Sequence, residues 1–180
     1  MSGEADHQEP VMNISAWPIE RLEAYAATQH GQELERIREV AQAHAHRSKE
    51  PKHVRLRWAK LSLDANARLH GNSSSPWARA RMDRQNFMLR TWVIKHLGPD
   101  TDPDWDPGSL AADTLAALTL DPGQASATAA NWRDLPTEQI GELRRHRNLT
   151  SHLATLISYL QPGPTRDQIA GWIEVREHLP

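Results

Sequence analysis

The sequence predicts an all-α fold, a bundle of about seven or eight helices in antiparallel hairpins. Three observations predict it. Apolar residues recur at spacings of three and four along most of the chain, no run of β-branched residues alternates with polar ones, and Ser, Thr, Pro and Gly stand where helices need caps and stops. A length of 180 residues is enough to bury a core, and with only one Phe that core is assembled from Leu, Ile, Ala and seven Trp.

Residues 1–14 are polar and acidic and read as a disordered tail, which leaves 15–180 as a single helical domain. A first helix opens at Ser15 with Pro18 in its first turn, carries Ile19, Leu22 and Ala26 on one face, and stops near Gly31. A second, over 33–46, turns Leu34, Ile37, Ala41 and Ala45 inward, and the stretch 48–51 breaks it. The third, over 52–70, is apolar on two sides: Val54, Trp58, Leu61, Ala65 and Leu69 on one, Leu56, Ala59, Leu63 and Ala67 on the other. Such a helix packs between neighbours.

The fourth helix is delimited by Ser75 as N-cap, Pro76 at its first position and Gly98-Pro99 beyond Leu97. It also has two apolar edges, Met82, Leu89, Val93 and Leu97 against Ala80, Phe87 and Ile94. Residues 52–97 thus form a basic helical hairpin, followed by an acidic loop over 99–109 and C-terminal helices over 110–180. Those helices are expected at 110–120, 122–132 and 137–160, with a last one from Thr165, where Gln168 stands three residues on in a capping-box pattern and Ile169, Trp172 and Ile173 face inward.

Charge is distributed unevenly. Residues 44–95 hold 12 Lys/Arg against 3 Asp/Glu, the segment before holds 3 against 8, and the segment after holds 6 against 12. A middle of plus 9 therefore lies between arms of minus 5 and minus 6, within a net charge of −2. A local basic field can hold a polyanion even in a mildly acidic chain, and the acidic arms can also neutralise it.

Zero cysteines exclude disulfides, thiolate metal sites and a Cys nucleophile. The polar N-terminus lacks a secretory pattern and no 18-residue apolar run is present, so a cytoplasmic protein without a membrane role is expected. Arg outnumbers Lys 17 to 4 beside abundant Ala, Asp and Pro, a composition associated with GC-rich bacterial genomes.

On the third helix His53, Arg57, Lys60 and Arg68 form one narrow stripe, interrupted by Asp64; on the fourth, Trp77, Arg81, Arg84, Met88 and Lys95 form another. Guanidinium groups contact phosphate and an indole can stack on an unpaired base, so the candidate polyanion-binding residues are Arg47, Lys52, Arg57, Lys60, Arg68, Trp77, Arg81, Arg84 and Lys95. The five-residue connection 71–75 between two long helices makes an αα-hairpin rather than a helix-turn-helix. The run from Thr165 resembles a first helix of that motif but leaves no room for a recognition helix before Pro180.

Asp102, Asp104, Asp106 and Asp113 match part of a calcium-loop spacing, but Pro107 occupies the place where a sharp turn needs glycine, so the loop reads as acidic and helix-capping. His44 and His46 point about 200° apart on a helix and form no joint metal site. Glu142 and His146, four apart in the apolar seam of the long helix, are the one candidate pair for proton transfer. No metal or cofactor is expected.

The leading reading is a non-enzymatic accessory or regulatory protein that binds a polyanionic partner, nucleic acid or an acidic protein, through its basic hairpin. The alternative is a protein-interaction or self-associating module, a homo-oligomer included, with no nucleic-acid role. The third is a small helical enzyme using Glu142 and His146.

Overall fold

The computed structural model describes residues 12–47 and 49–180. Among the described residues it holds eight α-helices and no strand: α1 (Ile19–Ala26), α2 (Gly31–Ala45), α3 (Lys52–His70), α4 (Pro76–Leu97), α5 (Pro107–Ala117), α6 (Pro122–Ala129), α7 (Thr137–Leu156) and α8 (Pro164–Val175). Short 3-10 turns at Ile14–Ala16, Trp132–Asp134, Ile157–Tyr159 and Arg176–His178 extend or join them. The predicted all-α bundle is the observed one.

Helix ends follow local chemistry. Ser75 accepts a hydrogen bond from the Ala78 N–H at 3.5 Å with Pro76 at the first helical position, and Gly98 leaves α4 at φ +84, where a side chain would be strained. Asp106 caps α5 through the Ser109 N–H at 2.7 Å, and Asp121 with Gln124 forms a full capping box on α6.

At three places the chain departs from expectation. Pro18 stays extended as the residue before α1, so that helix opens at Ile19 and the Ser15 region is a separate 3-10 turn capped by Asn13. Gly31, at φ +52, opens α2 instead of closing α1. Thr165 is already helical, because α8 starts at Pro164 after Gly163, so the Thr165–Gln168 pattern is no cap. Of the tail expected over 1–14, residues 1–11 lie outside the described residues, while Ile14 is 1% exposed and belongs to the core.

α2 and α3 form an antiparallel hairpin, pinned where Ser62 Oγ donates to the Arg38 carbonyl at 3.2 Å and Arg55 Nε to the Ala45 carbonyl at 2.8 Å. α3 and α4 form the next, with Asn66 Nδ2 donating to the Met82 carbonyl at 3.1 Å and to Asn86 Oδ1 at 2.6 Å. α4 then packs extensively on α7. Trp77 meets Gly141 and Asp83 meets Arg145, so these two helices run in the same direction, with α5 and α6 supplying the return between them.

The two apolar edges of α4 serve two cores. Leu89, Val93 and Leu97 join α1, α2, α3 and Trp105, whereas Phe87 and Ile94 join Leu110, Leu143, Leu149, Leu153, Ile169 and Trp172. Burial of each large aliphatic side chain contributes roughly 1.5–3 kcal/mol. α4 is therefore fixed on both flanks, and its exposed residues include the outer stripe of Trp77, Arg81, Arg84, Met88 and Lys95.

Candidate polyanion-binding groove

The structure does not gather the sequence-predicted basic residues onto one face. Along α3 they meet carboxylates and carbonyls of the same chain. Arg57 lies 2.6 Å from both Glu20 and Glu23 of α1, and hydrogen bonds to Glu23 and Glu20 hold its pKa above the ordinary value. Lys60 pairs with Asp104, whose hydrogen bond raises the lysine pKa, and Lys52 lies 3.3 Å from Asp100. Arg68 donates to the carbonyls of Ala26, Ala27 and Gln29, satisfying backbone acceptors at and just beyond the end of α1.

Arg81 of α4 lies 3.2 Å from Glu35 of α2. Arg47 and Lys95 are exposed with no carboxylate partner among the described residues, Arg47 just beyond the end of α2 and Lys95 in the last turn of α4. The acidic loop over 99–109 thus binds the basic hairpin in cis. Arg90 strengthens the attachment by donating to the Asp104 and Pro103 carbonyls at 2.9 and 3.0 Å. Among the described residues no group of three His, Asp or Glu has a metal-holding arrangement.

Arg84 behaves differently. It faces α7, and with Arg144, Arg147, Asn148, Ser151, His152, Met88 and Pro180 it lines an open groove of about 610 Å³. None of its three arginines has a carboxylate partner among the described residues, and no Asp or Glu side chain lines the groove. The two nearby acids are engaged elsewhere: Asp83 bonds Arg145 at 2.7 Å, and Glu142 lies 3.3 Å from the same guanidinium.

Helical spacing explains this sorting. Arg144, Arg147 and Ser151 are three and four apart and share one side of α7, while Arg145 is turned about 100° away, onto Asp83. Burial, followed by the charge of Arg84, pushes His152 down to about 4, so at neutral pH it is an uncharged hydrogen-bonding group among three cations. Trp77 stands at the upstream end. It is 42% exposed, rests against Gly141, where an added Cβ would approach its ring to 3.2 Å, and has the Arg144 guanidinium 5.4 Å from its ring centroid.

Sequence reasoning named Arg84 and Trp77 but missed Arg144 and Arg147. Their signal was Arg144-Arg145-His146-Arg147, concealed within a segment of net charge minus 6.

The candidate pair Glu142 and His146 has another role. His146 is fully buried; its Nδ1–H donates to the Glu142 carbonyl at 2.8 Å, and its Nε2 accepts from the Thr119 and Leu120 N–H groups at 3.1 and 3.2 Å. Both ring nitrogens are committed, and burial lowers the pKa, so the neutral ring pins the α5–α6 connection to α7. It offers no nitrogen for proton transfer.

In comparisons with known proteins, no family model, curated protein or solved structure matches the chain. Among the described residues no helix is long and apolar enough to cross a membrane.

Proposed function

We propose that this protein is a non-enzymatic accessory or regulatory module that binds a phosphate-bearing polyanion in the groove between α4 and α7. One observation carries the reading: three arginines from two helices converge there, unpaired among the described residues, while much of the basic charge on α3 is neutralised in cis. Like charges held side by side raise each other's energy, and an anion bound between them relieves that repulsion. Rigid packing of α4 and α7 presets the arginine backbones, which lowers the ordering cost of binding. The competing idea, self-association through opposite charges, has fewer charges to draw on because Arg57, Lys60 and Glu23 already pair within one chain.

The test is titration of a labelled nucleic acid with wild-type protein, with Arg84→Gln/Arg144→Gln/Arg147→Gln, and with Arg57→Gln/Lys60→Gln. The groove variant is expected to lose binding at least tenfold, and the α3 variant to retain it. Equal losses in both, or no binding by wild type at low salt, would remove the proposal.

A further inference from the structure

The groove's arginines account for phosphate; they do not account for its apolar rim. Among the described residues only four large hydrophobic side chains are strongly exposed, and two of them, Trp77 at 42% and Met88 at 47%, flank Arg84 on the outer stripe of α4. They lie seven residues before and four after it, about 10 Å and 6 Å along the helix axis. Arg144 couples the two ends, lining the groove and facing the indole 5.4 Å from its centroid.

Gly141 adds a second observation: the absence of a side chain there lets the indole settle on α7 while nearly half of its surface stays in solvent. An indole needed only as packing would gain from further burial. Neutral Asn148, Ser151 and His152 line the same groove and add donors and acceptors beside the arginines, a set suited to base edges as well as phosphate oxygens.

Three kinds of phosphate polymer make different demands. Polyphosphate uses cations alone. A duplex keeps its bases stacked inside and offers an exposed indole nothing to stack on. A single strand offers phosphates and unpaired bases within a few ångströms of each other, which matches an arginine groove bordered by an aromatic platform.

We infer that the ligand is single-stranded nucleic acid, with its phosphates on Arg84, Arg144 and Arg147 and a base stacked on Trp77. This rests on the groove being the polyanion site proposed above. Recognition of this kind is tolerant of sequence, because every base has a face to stack.

The experiment measures three probes by anisotropy at one salt concentration: a labelled 12-nucleotide single strand, the same strand in a duplex, and the strand under competition by inorganic polyphosphate. Wild type is expected to hold the single strand about tenfold more tightly than the duplex. Trp77→Ala is expected to lose about tenfold for the single strand and to leave polyphosphate competition unchanged, with a thermal melt confirming that it folds. Equal affinity of wild type for strand and duplex would overturn the single-strand inference while leaving the groove proposal standing, and this comparison needs no variant. Loss of all three ligands in the arginine triple variant, with no strand preference in wild type, would identify a phosphate-only site. Failure of wild type to bind any of them would remove both.

Discussion

His152 and His146 show how one residue type acquires two roles through its surroundings. Both are pushed toward the neutral form by burial, but His146 has two backbone donors on Nε2 whereas His152 faces Arg84, Arg144 and Arg147. The folded pKa of His152, about 4, lies below the 6.5 of a free imidazole, so between those values the unfolded chain binds the extra proton. Its contribution to stability is complete above pH 6.5 and is lost as pH falls to about 4. Each pH unit in that window corresponds to at most about 1.4 kcal/mol. Denaturant midpoints at pH 7.5 and pH 5 are expected to diverge in wild type and to lie closer together in His152→Gln; an unchanged separation would contradict this assignment. His146→Leu leaves the Thr119 and Leu120 N–H groups without their acceptor and is expected to cost about 3 kcal/mol at neutral pH, measured by urea unfolding. The spacing of Glu142 and His146 was visible in the sequence, and it did place the two together. The partners that decide the chemistry lie 26 and 27 residues away, and no local pattern announces them.

At the scale of elements, legibility followed caps and edges. The bounds of α3 and α4 and both apolar edges of α4 were readable, because Ser75, Pro76 and Gly98 act within one turn and a 3.6-residue period sorts the rest. The start of α1 was misplaced because a proline serves equally as the extended residue before a helix and as its first helical residue. The pairing of α4 with α7 was not readable at all: its decisive bond joins Asp83 to Arg145, 62 positions apart, and on the sequence Asp83 is simply one of the three acids within the basic segment 44–95. Its carboxylate instead faces the partner helix, with both side chains about nine-tenths buried. Asp83→Ala leaves the Arg145 guanidinium with Glu142 alone and is expected to destabilise the fold by about 3 kcal/mol. Because the same contact sets the register of Arg84 against Arg144, the variant is also expected to weaken polyanion binding under conditions where circular dichroism shows it still folded. Undiminished binding by the folded variant would separate the latch from the groove.

Over the whole molecule, the charge partition of the sequence is folded back on itself. The acidic N-terminal arm reaches Arg57 through Glu20 and Glu23, and the acidic loop reaches Lys52 and Lys60 through Asp100 and Asp104. A plus 9 segment thereby presents much less free charge than its composition suggests, and the groove's cluster of arginines without carboxylate partners among the described residues is completed by two from a segment of net negative charge. These cis pairs are exposed and screened by solvent, so they contribute little to stability. Their larger effect is on what the surface can bind. Three groove cations predict that the logarithm of affinity for a single strand falls with the logarithm of salt at a slope of about −2, near 0.7 for each phosphate neutralised. Replacing Glu20, Glu23, Asp100 and Asp104 by their amides uncovers Lys52, Arg57 and Lys60 without touching the groove. The quadruple variant is expected to melt close to wild type, to bind long single strands more tightly at low salt, and to show a slope steeper by roughly 0.7 for each freed cation that engages. A short strand that fills only the groove should keep the wild-type slope, which confines the new contacts to α3. An unchanged slope with long strands would mean that α3 lies out of reach of a groove-bound chain, and that the acidic arms do not limit where a polyanion can bind.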